Sequence, residues 1–223
     1  MNFQVALLLT LVGIVASAPI SDKLNNMDKD TIEQAHSLIN KILEDIPTVH
    51  KDWITIKSLT LGNHTILQEL GYLRNEALKI PPAPVLQNIS SISSMETCLA
   101  KIVEGLQLHL ILLKDVSKAT TQDQRVKHFQ ADIRDLLLLI EKLQKQAGFD
   151  PSKQASDEQS QPPVHDFRAD KNLSDKYLTQ VAVHLILQQL QDFSFDVLRS
   201  ILSMTEMAEN PNTVQVSMSP AAI

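Results

Sequence analysis

The chain has 223 residues, of which 43% are hydrophobic and 21% are charged, a balance typical of one folded domain and not of a disordered chain. Aromatic residues make up only 4% and glycines number five, so helices are favoured over a packed sheet. The net charge of −6 and the lack of a basic run argue against nucleic acid or an anionic membrane as the main partner, because both bind clustered lysine and arginine.

The first predicted element is a secretory signal peptide over residues 1–17. The segment MNFQVALLLTLVGIVASA contains no charged side chain, and an apolar or small run extends from Val5 to Val15. That run is too short for a membrane-spanning helix, which needs about 20 apolar residues. Val15 and Ser17 suit the recognition positions of a cleavage after Ser17. We therefore expect a secreted, extracellular protein whose folded domain covers residues 18–208.

Apolar residues spaced by three and four predict four long helices in the mature chain. The predicted ranges are 30–45, 94–116, 121–146 and 174–204. In the first helix, Asp30 and Glu33 form an N-terminal capping pattern, and Pro47 is expected to end the helix. The second half of the second helix is apolar on almost every side, which is expected of a helix deep in a bundle.

The connections between these helices differ sharply in length. About four residues, 117–120, join the second helix to the third and require the two to be antiparallel neighbours. Residues 46–93 and 147–173 form two long crossovers. Two long crossovers around one short turn predict an all-α, up-up-down-down four-helix bundle, followed by a flexible tail over residues 209–223.

Catalytic and metal-binding patterns are missing from the sequence. There is no glycine-rich phosphate loop, no G-x-S-x-G and no H-E-x-x-H. The seven histidines are scattered, and His109 and His184 lie in apolar stretches, where a core or boundary histidine is the expected interpretation. We expect a protein that is not an enzyme and that needs no cofactor and no metal.

Two further features concern modification and crosslinking. Asn63, Asn88 and Asn172 each begin an N-x-[ST] triplet, the acceptor pattern for N-glycosylation on the secretory route. Cys98 is the only cysteine, so the chain has no internal disulfide and its stability depends on the hydrophobic core.

Residues 79–116, KIPPAPVLQNISSISSMETCLAKIVEGLQLHLILLKDV, resemble the interleukin-6 and granulocyte colony-stimulating factor group of long-chain four-helix cytokines. The similar region is the end of the first long loop and the second helix, with the motif Ile80-Pro81-x-Ala83-Pro84 and no gap before Cys98. QADIRD at 130–135 and FSFDVLRSIL at 193–202 add matches in the third and fourth helices. The resemblance covers most of the mature chain, and the first helix aligns only loosely.

The resemblance implies a growth factor that acts on granulocytes and other myeloid cells. It implies a monomeric ligand that binds a class I cytokine receptor, similar to the granulocyte colony-stimulating factor receptor, and dimerises it in a 2:2 complex. Nucleic acid and membrane insertion are not expected.

The resemblance also implies a main receptor site of acidic residues on the first and third helices. Asp132 and Asp135 match the aspartates of the third helix, Glu33 is the best match on the first helix, and Glu69 is the candidate for a second site near a short helix in the first loop. Asp132 and Asp135 also stand out because no lysine or arginine lies three or four residues away. The alternatives are a solvated helix face for the two aspartates and a capping role for Glu33.

In the same group, the counterpart of Cys98 pairs with a cysteine ten residues earlier, where this chain has Asn88. The resemblance therefore implies that the family disulfide is lost. Cys98 is expected to be a half-buried, inert thiol, and a disulfide between two copies is the alternative.

Two other functions are compatible with the sequence. One is an interleukin-6-type cytokine that uses a shared signalling receptor chain. The other, from a different class, is a secreted lipid carrier whose amphipathic helices coat lipid. Lipid carriers usually have lysine and arginine beside a wide apolar face and repeated segments, and the sequence has neither pattern.

Overall fold

The computed structural model describes residues 27–119, 124–149 and 175–209, and all regular secondary structure in these ranges is helical. The elements are α1 (Lys29–Trp53), α2 (His64–Glu69), a π-helical turn (Leu73–Ala77), α3 (Ile92–Ala119), α4 (Gln124–Gln146) and α5 (Lys176–Glu209). The predicted signal peptide, most of the second crossover, Asn172 and the tail from residue 210 lie outside the described residues.

Four of the helices are long and enclose one hydrophobic core. They have 25, 28, 23 and 34 residues, so at 1.5 Å per residue they are about 35–51 Å long. α1 packs against α4 and α5, and α3 packs against the same two helices. This arrangement is compatible with a four-helix bundle.

Hydrogen bonds at both ends of α1 show how it lies on α4. At the start of α1, the Asp28 backbone N–H donates to the side-chain oxygen of Gln146, 3.2 Å away. Near the end of α1, Arg125 at the start of α4 donates to Asp52 at 2.9 Å. The two helices are therefore antiparallel.

The predicted apolar stripes of the first, third and fourth helices are confirmed as core positions. In α4, for example, every residue of the predicted stripe is at most 4% exposed. Period-3.6 spacing places these residues on one face, and burying that face against the other helices stabilises both the helix and the bundle. The buried stripe of α4 consists of Val126, Phe129, Ile133, Leu136, Ile140, Leu143 and Ala147.

The prediction that Pro47 ends the first helix is wrong, because α1 continues through Pro47 to Trp53. Pro47 has no N–H to donate to the carbonyl of Leu43, which normally weakens a helix at this point. The helix continues because its last two turns have their own buried face: Val49 is 4% exposed and His50 is 8% exposed. Burial of these side chains outweighs the missing hydrogen bond.

The capping pattern at the start of α1 is also different from the prediction. Asp28, and not Asp30, is the N-cap; its carboxylate accepts from the Asp30 backbone N–H at 3.2 Å and from the Thr31 hydroxyl at 2.7 Å. The Thr31 hydrogen bond is the largest of the effects that lower the pKa of Asp28. Glu33 therefore lies beyond the cap and is exposed, so its interpretation as a capping glutamate is wrong.

The most deeply buried helix is α5, although the apolar second half of α3 predicts a position deep in the bundle for α3. All ten residues from Val181 to Leu190 are buried, including glutamines, because the chain after α1 lies across the outer face of α5. Gln180 accepts hydrogen bonds from the backbone N–H groups of Thr55 and Ile56, and Gln188 accepts from the Gly62 N–H at 2.6 Å. α3 is less covered, and five of its apolar residues are only half-buried: Ile92, Ala100, Val103, Leu110 and Ile111.

The first crossover is shorter than predicted, and the link between α3 and α4 is shifted along the chain. α3 extends to Ala119, so most of the predicted four-residue link is helical, and residues 120–123 lie outside the described ranges. The first crossover contains α2 and the π-helical turn, and its last segment, residues 78–91, has no regular structure. α5 reaches Glu209, five residues beyond its predicted end at 204.

Candidate functional site

An acidic surface surrounds Lys41 on the seam between α1 and α4. The Lys41 ammonium lies 2.5 Å from the Asp132 carboxylate, and the two side chains are 54% and 16% exposed. The hydrogen bond to Asp132 raises the pKa of Lys41, and the charges of Asp132, Asp45 and Asp135 act in the same direction. We call Lys41, Asp45, Asp132 and Asp135 the α1–α4 acidic surface.

The observation that Asp132 lacks a basic partner is therefore wrong for the folded protein. No lysine or arginine lies three or four residues from it along α4, but Lys41 reaches it from a helix 91 residues earlier in the sequence. Residue spacing along a single helix does not reveal this pair, because the register between α1 and α4 is a tertiary property. In the sequence, Lys41 and Asp45 are recognisable only as polar residues beside the apolar stripe of α1.

Asp135 is exposed, lies about one turn from Asp132, and forms no ion pair within the described part of the chain. With Asp45 on α1 and Asp132 on α4, it gives three carboxylates around one ammonium. The surface therefore has a local excess of negative charge. It can bind a positively charged partner without breaking a buried contact.

Glu33 and Glu69 are not part of this surface. Glu33 is exposed on α1 eight residues before Lys41, which is about 12 Å along the helix axis. Glu69 is exposed as the last residue of α2, whose neighbouring chain packs on α5 through Arg74 and Gln189. The structure thus places Glu33 two turns from the acidic surface and Glu69 in a different part of the molecule.

The glycosylation candidates within the described residues are accessible to different degrees. Asn88 is exposed in the segment before α3. Asn63 is half-buried and is the N-cap of α2, where its side-chain oxygen accepts from the Ile66 N–H at 3.3 Å. The cap uses the side-chain oxygen of Asn63, so the side-chain nitrogen, which is the glycan attachment atom, takes no part in this hydrogen bond.

Cys98 is more deeply buried than predicted, with 1% of its surface exposed. Its sulfur lies 3.4 Å from the Ser200 hydroxyl on α5, and burial raises the pKa of the thiol. A buried, protonated thiol is a poor nucleophile. This geometry favours the inert thiol over a disulfide between two copies.

Three histidines lie in the interior between helices. His50 of α1 and His184 of α5 are joined by a ring-to-ring hydrogen bond of 2.9 Å, while the Nδ1–H of His109 donates to the Gly105 carbonyl at 2.6 Å. Burial lowers the pKa of all three, to about 4 for His109 and His184. These neutral rings are packing residues, as interpreted for His109 and His184. Within the described ranges, no group of three or more potential ligands is placed to hold a metal ion.

Comparison with known proteins adds no relative: the chain matches no family model and no curated protein. None of the helices in the described ranges is both long enough and apolar enough to cross a membrane. The candidate site therefore depends on the geometry of the α1–α4 acidic surface and on the sequence resemblance.

Proposed function

We propose that this protein is a secreted cytokine of the interleukin-6 and granulocyte colony-stimulating factor group, which binds and dimerises a class I receptor on granulocytes and other myeloid cells. It acts as a ligand and not as an enzyme. The observation that carries the proposal is the order in which the long helices contact one another. That order supports the up-up-down-down topology of this group.

Three sets of contacts bear on the topology. The start of α1 meets the end of α4, and the end of α1 meets the start of α4. Cys98 near the start of α3 contacts Ser200 near the end of α5. Thr55, just after α1, contacts Gln180 near the start of α5. These contacts are expected if α1 and α3 run in one direction and α4 and α5 in the other, joined by two long crossovers.

The α1–α4 acidic surface is the proposed main receptor site. In the Lys41–Asp132 pair the lysine side chain is 54% exposed and the aspartate side chain is 16% exposed, and ion pairs at the protein surface contribute only about 0–1 kcal/mol to folding. The carboxylates are thus available to a basic surface of the receptor, where charge-assisted pairs in a desolvated contact determine orientation and off-rate. Glu33 lies about two turns of α1 away and is proposed to contact the receptor outside this surface, and Glu69 belongs to the proposed second site.

The test is a double variant, Asp132→Ala with Asp135→Ala. We expect the Kd for the receptor ectodomain to rise about tenfold or more, because two interface charges are removed, while the stability changes by less than about 1 kcal/mol. Binding is measured by surface plasmon resonance, and helicity and melting by circular dichroism. The probe is the ectodomain of a granulocyte colony-stimulating factor-type receptor.

The matched control removes two acids from helices outside the site, Glu104→Ala with Glu206→Ala, and is expected to bind like the parent. Equal affinity of parent and double variant would show that this surface is not the receptor site.

A cell assay of receptor phosphorylation tests the function as a whole. A parent protein that floats with phospholipid vesicles and ignores the receptor would support the lipid carrier instead, and phosphorylation of only a shared signalling chain would support the other cytokine class.

A further inference from the structure

A groove of about 450 Å³ runs along the seam between α3 and α4, away from the α1–α4 acidic surface. Among the described residues, its lining contains four cationic side chains, three apolar ones and two neutral polar ones, and no acidic one. α3 contributes Leu110, Ile111, Lys114, Ser117 and Lys118, and α4 contributes Val126, Lys127, Gln130 and Arg134. A groove with this lining has charge of a single sign, although the whole chain has a net charge of −6.

Three of the four cations have no carboxylate partner in the described part of the chain. Lys114, Lys127 and Arg134 are exposed and form no ion pair there. Lys118 differs, because its ammonium lies 2.7 Å from Asp115. Lys114 and Lys118 line one side of the groove and Lys127 and Arg134 the other, so the positive potential is directed into the space between the helices.

Gln130 is an independent indication that the groove takes a ligand. Its side-chain nitrogen is buried and has no hydrogen-bond partner among the residues that the structure describes. A buried donor without a partner is unfavourable and is normally satisfied by an acceptor. A ligand that enters the groove with acceptor oxygens would supply that partner.

We propose that the α3–α4 groove binds a sulfated polysaccharide of the heparin type. Sulfate oxygens accept hydrogen bonds from lysine and arginine on both sides of the groove and from the Gln130 amide. The C–H faces of the sugar rings cover the half-buried Leu110 and Ile111. From Val126 to Arg134 the groove is about 12 Å long, which suits a short section of a linear polyanion.

Other anionic partners fit this geometry less well. An acidic helix is about 10–12 Å wide. The axes of the two helices that form the seam are separated by about the same distance, so an acidic helix does not enter the groove between them. An extended peptide would lose water from its backbone amides, and a helix seam offers no unpaired backbone groups in return. A flat anionic membrane reaches the exposed lysines but not the buried amide of Gln130.

This inference goes beyond the proposed receptor-binding function and does not depend on it, because polysaccharide binding can be measured with the protein alone. The probe is a heparin decasaccharide, titrated into the full-length protein at several salt concentrations. We expect binding at about 0.15 M salt, with a Kd that rises steeply with salt as counterions are released.

The charge variant is Lys114→Glu with Arg134→Glu, and the control is Lys57→Glu with Lys176→Glu, two exposed lysines on the opposite side of the bundle. Both variants change the net charge equally. We expect the groove variant to weaken binding at least about tenfold and to lower the slope of log Kd against log salt by about two, one for each lost cation. The control is expected to stay within about twofold of the parent, and circular dichroism checks that all variants fold.

The second variant, Gln130→Leu, leaves the charge unchanged and tests whether the ligand enters the groove. We expect binding about threefold to tenfold weaker, because a hydrogen-bond donor to the ligand is lost. The proposal is overturned if the parent does not bind the decasaccharide at about 0.15 M salt. It is also overturned if the control weakens binding as much as the groove variant, if Gln130→Leu changes nothing, or if polyglutamate or phosphatidylserine vesicles bind as tightly through the same residues.

Discussion

Gly105 on α3 lies directly against the ring of Phe193 on α5. A Cβ atom at this position would lie 2.7 Å from the ring atoms Cε1 and Cε2 of Phe193. Phe193 is only 3% exposed, and its ring stacks on His109 with the ring centroids 5.4 Å apart. The phenyl ring is therefore held between the two helices and cannot move aside easily. Gly105 is required by packing and not by backbone conformation.

The substitution Gly105→Ala has two opposing effects on the stability of the protein. Alanine favours the helix by about 1 kcal/mol over glycine, whereas overpacking a core costs about 1–3 kcal/mol. Because the phenyl ring is held between the two helices, we expect the upper part of this cost and therefore a net loss of about 1–2 kcal/mol in the free energy of unfolding, measured by urea denaturation. In the control, Gly71→Ala, the added Cβ meets no atom within 4 Å, so the stability should be unchanged or slightly higher. A Gly105→Ala protein as stable as the parent would show that Phe193 repacks freely.

At the scale of the helix, α1 shows that a local signal can be overridden by burial. Pro47 interrupts the hydrogen-bond ladder, but the residues after it include the buried Val49 and His50. Trp53, the last residue of the helix, packs against the edge of the core. The extra two turns also place Asp52 next to Arg125. The additional contacts with α4 and α5 thus outweigh the backbone hydrogen bond that is missing at Pro47.

Pro47→Ala is expected to stabilise the protein. Pro47 is exposed, so no packing is lost, while the missing backbone hydrogen bond is restored. Proline is about 3 kcal/mol less favourable than alanine inside a helix, and proline also restricts the unfolded chain, so we expect a gain of about 1–2 kcal/mol. Urea denaturation measures the gain, and Thr48→Ala, at the next exposed position, is the control with little expected change. A loss of stability on Pro47→Ala would indicate that the proline shapes the packing of the last two turns.

At the scale of the whole molecule, the buried histidines link folding to pH. In the unfolded chain a histidine has a pKa of about 6.5, whereas burial lowers the pKa of His109 and His184 to about 4 and also lowers that of His50. Between these values the unfolded chain binds protons that the folded chain does not. The stabilising contribution is therefore complete above about pH 6.5 and is lost progressively as the pH falls toward about 4.

We expect the free energy of unfolding to fall between about pH 6.5 and 5 by up to about 1.4 kcal/mol per pH unit for each buried histidine. In this window few carboxylates titrate, so the slope reports mainly the histidines. His184→Gln should reduce the slope by roughly the share of one histidine. His128→Gln, which changes an exposed histidine, should leave the slope unchanged. A parent stability that is flat across this window would contradict the burial of these rings.

Much of the fold could be predicted from the sequence, because helix formation and the position of an apolar stripe depend on spacing within one segment. The stripe of α4 is an example: each of its predicted residues is buried. Boundaries were less accurate where tertiary contacts compete with a local signal, as at Pro47 and at the N-cap Asp28. Of the candidate site, Asp132 and Asp135 lie about one turn apart on α4, but the sequence indicates neither Lys41 nor the distance to Glu33.

The sequence by itself therefore determined the helical class, the core positions and the four acidic candidates. Only the tertiary structure decided which of these residues meet, because the register between helices far apart in the chain depends on how complete faces pack. Lys41 neutralises Asp132 across 91 residues, and the chain after α1 buries the outer face of α5. The cations of the α3–α4 groove form no basic run in the sequence, and they become a single positive surface only when the two helices pack side by side.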